Sequence, residues 1–327
     1  PPCLSDADSE DSTASLSGED LNPKRRARAL GASELDKLLP ASVHQSIPST
    51  PADIAAKRQE LVESPTSKTL VKDFMRRLKE FERHGPRGAF SQARRFALEM
   101  LGSPAAIPGK VFWRVCMEVA DLAKRENRVE EAAYWFHKVN QLQPFASQGW
   151  LEHAKMEEEC GRLDVCRGIL HTGLRFCPYN ESLLVKGIKH QEQTGDPEAA
   201  RALLARLKHV RLEKSWKTIL EGALFEARAG HLGVARNVLR YLIKNIPRHG
   251  PIYHEAYKLE EKCEQFPRAA DIVEKGLVAN PRYGPLWFGA FRLYERVALQ
   301  EQLEGPPRSG AADPAAPGPS AVDPAPA

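Results

Sequence analysis

Glutamate runs, scattered histidines and recurring lysines are the residues of this sequence that could carry chemistry. Glu157-Glu158-Glu159 and Glu260-Glu261 are dense enough to suggest a metal site or an acid–base pair. Both runs fall at the end of an expected helix and recur in register, which points instead to ion pairs between neighbouring helices or to a solvated face. The histidines offer no metal pair, because His249 and His254 stand five residues apart and so fall on different faces of a helix. No GxxxxGK(S/T) loop, no GxGxxG after a strand, no GxSxG elbow and no HExxH pair is present. Nowhere do a nucleophile, a base and an orienting group come together. The sequence therefore reads as non-enzymatic, with no cofactor, no metal and no small-molecule substrate.

Cations are the better prospect. Lys155, Lys189 and Lys258 recur in step with the chain's own period, and Arg114, Lys124, Arg125, Lys217, Arg228 and His254 extend or flank the row. Repeated cations along one track suit a phosphate backbone or an acidic peptide, with an affinity that falls steeply with salt. A second cluster, Arg201, Arg206, Lys208, Arg211 and Lys214, surrounds an irregular junction and reads either as a local RNA contact or as a solvated loop.

These side chains are placed by a repeat of 34 or 35 residues. Small residues stand at Ala132, Cys166, Ala200, Ala235 and Ala269, and turn positions at Asn127, Gly161, Gly195, Gly230 and Glu264. Prolines stand at Pro144, Pro178, Pro247 and Pro281, and the stretch Glu157 to Pro178 aligns without a gap to Glu260 to Pro281. Apolar residues recur at three and four residues, which predicts helices and no strands. The expected pairs are 66–83 with 87–101, 110–125 with 128–142, 147–160 with 163–176, 181–193 with 197–209, 215–229 with 232–245, and 250–264 with 266–279. A last helix over 284–302 would cover the end, and an insertion near Gly102 to Pro108 precedes the regular array. Repeats of this length stack into a solenoid, each unit burying its apolar face against its neighbours.

Within a unit the roles are physical. Trp150 fills the space between two helices, and Ala154 follows on the same face. Gly161 lets the chain leave the first helix in a left-handed conformation. Cys166 and Gly173 keep the second helix thin where it crosses its partners, and Pro178 ends the unit. On the same schedule Trp113, Trp216, Tyr253 and Trp287 are expected in the repeat core.

This register resembles that of tetratricopeptide repeats, and more specifically of their half-a-tetratricopeptide (HAT) relatives. The resemblance rests on the first-helix aromatic (Trp113, Trp150, Trp216, Tyr253, Trp287) and on acids near that helix's end (Glu157, Glu158, Glu192, Glu226, Glu260, Glu261). It rests also on a small residue followed by Arg (Cys166-Arg167, Ala200-Arg201, Ala235-Arg236) and on the closing prolines. Leu184, Leu212 and Ala270 depart from it and leave HAT and plain tetratricopeptide both open. The resemblance covers residues 66–302. It implies an all-α, right-handed α-solenoid of about six antiparallel helix pairs with disordered termini, whose first helices line a concave surface. Arg114, Lys155, Lys189, Lys217 and Lys258 would then be groove positions. It further implies a non-catalytic scaffold of an RNA-processing complex, with proteins of that complex as partners and single-stranded RNA as a further one. A solenoid that stabilises an organellar transcript and a peptide-binding adaptor unrelated to RNA remain the alternatives.

Residues 1–63 read as a disordered arm, acidic over 1–20 and basic at Lys24 to Arg28, with a short helix expected near 50–63. Thr50-Pro51 and Ser64-Pro65 are sites that a proline-directed kinase could modify. Residues 64–303 form the repeat domain, and 304–327 read as a disordered Pro/Ala-rich tail. Outside the first 20 residues, 47 basic residues face 37 acidic ones, a balance compatible with an RNA or acidic-peptide partner. No apolar run approaches the roughly 20 residues needed to span a bilayer. The six cysteines lack metal-ligand spacing and are expected to be reduced thiols. The nucleus is the expected compartment, with chloroplast and cytosol as alternatives.

Overall fold

The computed structural model of the chain describes residues 31–37, 39, 44–63, 68–84, 89–101 and 109–304. Among these residues the regular structure is helical and contains no strand. They group into two units, the first reaching to Leu183 and the second starting at Leu184. The acidic stretch 1–20, the cluster Lys24 to Arg28, Ser64-Pro65, the insertion at 102–108 and the tail from Gly305 lie outside the described residues.

The first unit opens with α1 (Ala32–Lys37) and α2 (Pro51–Glu63), followed by α3 (Lys68–His84), α4 (Ala89–Leu101), α5 (Gly109–Arg125), α6 (Val129–Leu142), α7 (Ser147–Glu159) and α8 (Leu163–Phe176). From α3 to α8 each helix packs on the next, and α3 also touches α5. This is the neighbour-only packing of stacked helix pairs. Helix α9 (Glu181–Gln193) starts at the end of this unit and runs into the second. There follow α10 (Pro197–Ala205), a 3-10 turn at Arg206–His209, α11 (Leu212–Arg228), α12 (Leu232–Asn245), α13 (Gly250–Lys262), α14 (Phe266–Ala279) and α15 (Gly284–Glu304).

Helices α8, α9, α12 and α14 have the bounds expected from the sequence. The reason lies in the repeat positions. Ala132, Cys166, Ala200, Ala235 and Ala269 are all 0% exposed, so each marks a place where a second helix meets its neighbours with no room for a larger side chain. Asn127, Gly161, Gly195, Gly230 and Glu264 all take positive φ, between 58° and 89°, and turn the chain between the helices of a pair. Glu264 adopts this left-handed conformation against the preference of a side chain with a Cβ.

Inside the pair α7–α8, Trp150 stacks on Phe176 with ring centroids 5.8 Å apart and planes 9° from parallel. A Cβ at Gly173 would lie 2.9 Å from the Cβ of Trp150, so the bulky ring requires the bare backbone opposite it. The pair α13–α14 repeats this arrangement, with Tyr253 against Gly276 at the same 2.9 Å.

Two stretches differ from expectation. Where the closing proline is replaced by Leu212, α10 ends early and the chain passes through the 3-10 turn. Asp196 caps the start of α10 by accepting from the Ala199 N–H at 3.0 Å, with Pro197 in the first turn. The missing proline lets α11 begin at Leu212, three residues before the expected start.

The larger difference is the arm. Residues 1–63 were expected to be disordered apart from a short helix near 50–63; that helix is α2, but 32–37 are helical as well, and both segments are docked. Leu35 is 0% exposed, and with Leu39 it joins the cluster that holds Trp135 and Phe136. Asp36 accepts a hydrogen bond from the Tyr134 hydroxyl and pairs with Lys138 of α6 at 3.2 Å. That hydroxyl, followed by the lysine, holds the Asp36 carboxyl below its ordinary value despite some burial. Arg175 of α8 donates to the Ser49 carbonyl at 2.7 Å, and Arg58 lies over the Phe145 ring at 4.8 Å. Thr50 and Asp53 exchange side-chain to backbone bonds of 3.1 and 3.2 Å, a capping box that starts α2. Two leucines and one acid fasten the segment to α6, and the Arg175–Ser49 bond ties it to α8.

Candidate functional site

The row of cations Arg114, Lys155, Lys189, Lys217 and Lys258 falls on the first helices α5, α7, α9, α11 and α13. In the first unit the strongest concentration lies one pair earlier than expected. Lys72, Arg76, Lys79 and Arg83 follow one another at steps of four, three and four residues, which puts them on one face of α3. With Met75, Glu80 and Arg114 of α5 they line a cavity of about 520 Å³. Asp73 takes part of one charge, pairing with Arg76 at 3.1 Å. Five cations around one recess make a surface that favours a polyanion. The sequence reading reached Arg114 and missed the rest, although the four-three-four spacing of cations within Lys68–His84 was a readable signal.

The lysine row itself is partly neutralised. Lys155, in the first unit, pairs with Glu152 at 2.9 Å. Lys189, in the second, pairs with Glu221 at 3.3 Å, where Arg228 also binds at 2.8 Å. Lys258 is half-buried on α13. Lys217 sits over the Trp216 ring at 5.6 Å and Arg114 over the Trp113 ring at 5.4 Å.

Of the second cluster, Arg206, Lys208, Arg211 and Lys214 are exposed on the 3-10 turn and the start of α11. Arg201 stands apart from them. Its guanidinium makes bonds of 2.8 and 3.1 Å to Glu226 of α11 and one of 2.7 Å to Glu198. Arg236 binds Glu260 through two bonds of 2.8 Å one period later, so Arg201 belongs to a recurring bridge between a second helix and the next first helix. Hydrogen bonding from Arg201 holds the Glu226 carboxyl below its usual value, with His231 adding to it against partial burial.

The acidic runs find their partners in the same way. Glu159 pairs with Lys124 across α7 and α5 at 2.8 Å, Glu192 with Arg228 at 2.6 Å, and Glu261 with Arg296 at 3.2 Å. Burial raises the Glu157 carboxyl, but hydrogen bonds from His153 and Arg162 outweigh it and leave the group below its ordinary value. Among the described residues no cluster of three His, Cys, Asp or Glu side chains could hold a metal ion. No helix among them is long and apolar enough to cross a membrane.

The aromatic series divides. Trp150 and Tyr253 are buried, and Trp113 and Trp216 are half-buried. Trp287, expected in the core, is 43% exposed. Its helix α15 buries Leu286, Ala290 and Leu293, and the side bearing Trp287, Phe288 and Phe291 faces outward with no helix packed on it among the described residues.

Comparison with known proteins places this architecture. A TPR-containing protein from Dictyostelium discoideum is 49% identical over 243 residues, 74% of this chain, and the chain spans 18% of that relative's length. A tetratricopeptide repeat protein from Parabacteroides merdae, 17% identical, aligns over 71% of this chain and 87% of its own with a TM-score of 0.49. Yeast Tom70, 13% identical, aligns over 85% of this chain and 67% of its own with a TM-score of 0.46. The family model described as PRP6, TPR-like domain matches residues 106–315. On the strength of that match over well more than half its length, the chain belongs to the PRP6, TPR-like domain family, within the tetratricopeptide-like superfamily.

Proposed function

We propose that this chain is a non-catalytic repeat scaffold of a nuclear RNA-processing complex. It holds protein partners on the faces of its helices and reaches single-stranded RNA through the cationic recess of α3 and α5. Family membership carries the RNA-processing part of this reading. The inter-helix bridges support the scaffold part. Arg201–Glu226, Arg236–Glu260 and Arg228–Glu192 tie successive helices together, so side chains on those helices keep fixed spacings. Fixed spacing is what a surface needs to hold several partners in register without chemistry of its own.

A second reading, a peptide-binding adaptor unrelated to RNA, draws on the ion pairs that already engage Lys155 and Lys189. Affinity purification of the tagged protein from its native lysate, with and without ribonuclease, separates the two. Recovery of RNA-processing proteins after ribonuclease treatment is the expected result. Their loss with ribonuclease would shift the role to direct RNA binding, and recovery of chaperones alone would sink the RNA-processing reading.

A further inference from the structure

We propose that the second helices of the second unit form a groove for an acidic, leucine-bearing peptide segment of a partner protein. A cavity of about 440 Å³ lies where α12, α13 and α14 meet, within the size range of ligand sites. Its floor is apolar, with Ile243 from α12, Tyr253 from α13 and Ile272 from α14. Its rim is cationic, with Arg236 and Arg240 on α12 and Arg268 and Lys275 on α14. Two of these four charges are already matched. Arg236 holds Glu260, and Lys275 holds Asp271 at 2.7 Å. Arg240 donates to the Asn237 amide oxygen at 3.2 Å, and among the described residues no carboxylate pairs with Arg268. Two positive charges in surplus beside an apolar floor complement a segment that brings acids and an aliphatic side chain together.

The first unit shows the chemistry that a second-helix face accepts. Three periods before α12 stands α6, and across it lies a segment of this chain with two buried leucines, Leu35 and Leu39, and Asp36 between them. Asp36 is read by a hydroxyl and a cation of α6, Tyr134 and Lys138, while the leucines enter the core cluster. An acid flanked by leucines is the pattern that the α12–α14 groove also fits. Nucleic acid fits it less well. The one aromatic ring of the floor, Tyr253, is 3% exposed and offers no face for a base to stack on.

None of Lys155, Lys189 and Lys258 lines this groove, and the inference does not require the partner to be an RNA-processing factor. It is tested with purified full-length protein, so its failure is distinct from that of the proposed function. The probe is a fluorescein-labelled peptide, Glu-Glu-Leu-Asp-Glu-Leu-Leu-Glu, followed by fluorescence anisotropy. Saturable binding is expected, weakened at least about tenfold by Arg240→Glu with Arg268→Glu, and weakened equally when serine replaces the peptide's leucines. Arg206→Glu with Lys208→Glu, a reversal elsewhere in the same unit, should leave binding unchanged. Should the first double variant lose its circular dichroism signal, Arg240→Gln with Arg268→Gln replaces it, with a threefold or greater loss expected. No saturable binding, equal loss in the Arg206/Lys208 variant, full binding of the serine peptide, or displacement of the probe by oligo(U) at lower concentration than by unlabelled peptide would each overturn the proposal.

Discussion

The Trp150 indole N–H donates to the carbonyl of Pro144, six residues back, at 2.7 Å. The bond fastens the largest core side chain of its unit to the proline that closes the preceding unit. Trp287 makes the same bond to Pro281 at 2.9 Å, so the register persists into α15. Only the burial changes, from 2% exposed at Trp150 to 43% at Trp287.

Trp150→Ala should therefore cost about 3–5 kcal/mol, the range for truncating a buried aromatic. Trp287→Ala should cost less than about 1.5 kcal/mol, because much of its ring is already in water. Chemical denaturation of both variants checks the pair. Equal losses would contradict the burial difference.

Glu264 occupies a left-handed turn at φ 58°, where three of the other units place glycine. A left-handed residue with a side chain costs roughly 1–2 kcal/mol, and glycine gives back about 0.4–1 kcal/mol through its freer unfolded chain. Glu264→Gly should thus stabilise the protein by about 0.5–1 kcal/mol. A thermal melt would show a rise of a few degrees, and a fall would argue against the strain.

The carboxyls of Glu157 and Glu226 lie below their ordinary values in the fold. A depressed folded value means that the stabilisation is complete above the unfolded value near 4.5 and is lost as pH falls through the folded one. Melting temperature should be level from neutral pH to about 5.5 and then fall on further acidification. Glu226→Gln should lower stability at pH 7 and flatten that acid limb. An unchanged acid limb in the variant would remove Glu226 from the account.

Charge reversal on α3 measures the cationic recess. Lys72→Glu, Arg76→Glu, Lys79→Glu and Arg83→Glu together should weaken oligo(U) binding at least about tenfold and flatten its dependence on salt. Lys155→Glu, Lys189→Glu and Lys258→Glu together should do less, because Glu152 and Glu221 already engage two of those lysines. Filter binding at several salt concentrations decides the order of the two effects.

The repeat was legible because close packing leaves no choice at its key positions. A helix crossing that admits only Ala or Cys must show Ala or Cys at every turn of the array, as Ala132, Cys166 and Ala200 do. The ion pairs were legible in kind, since acids recurring at helix ends imply cations on the neighbouring helix, but Arg201 reads as a surface charge until Glu226 is placed beside it. Arm docking was not legible. Leu35 and Leu39 are two apolar residues in a polar stretch, and their burial depends on a pocket formed by residues about a hundred positions later. The exposure of Trp287 escaped for the opposite reason, because its spacing is that of a core residue and spacing says nothing of whether another helix follows.

The docked arm has a consequence for any visitor to the outer side of α6 and α8. A segment carried on the same chain as its target is present there at an effective concentration on the order of millimolar. If its intrinsic dissociation constant is about 0.1 mM, a competitor for that face binds roughly tenfold more weakly than it would to the bare helices. Shortening the arm, or modifying Thr50 at the start of α2, would reset that handicap without touching a single residue of the repeats.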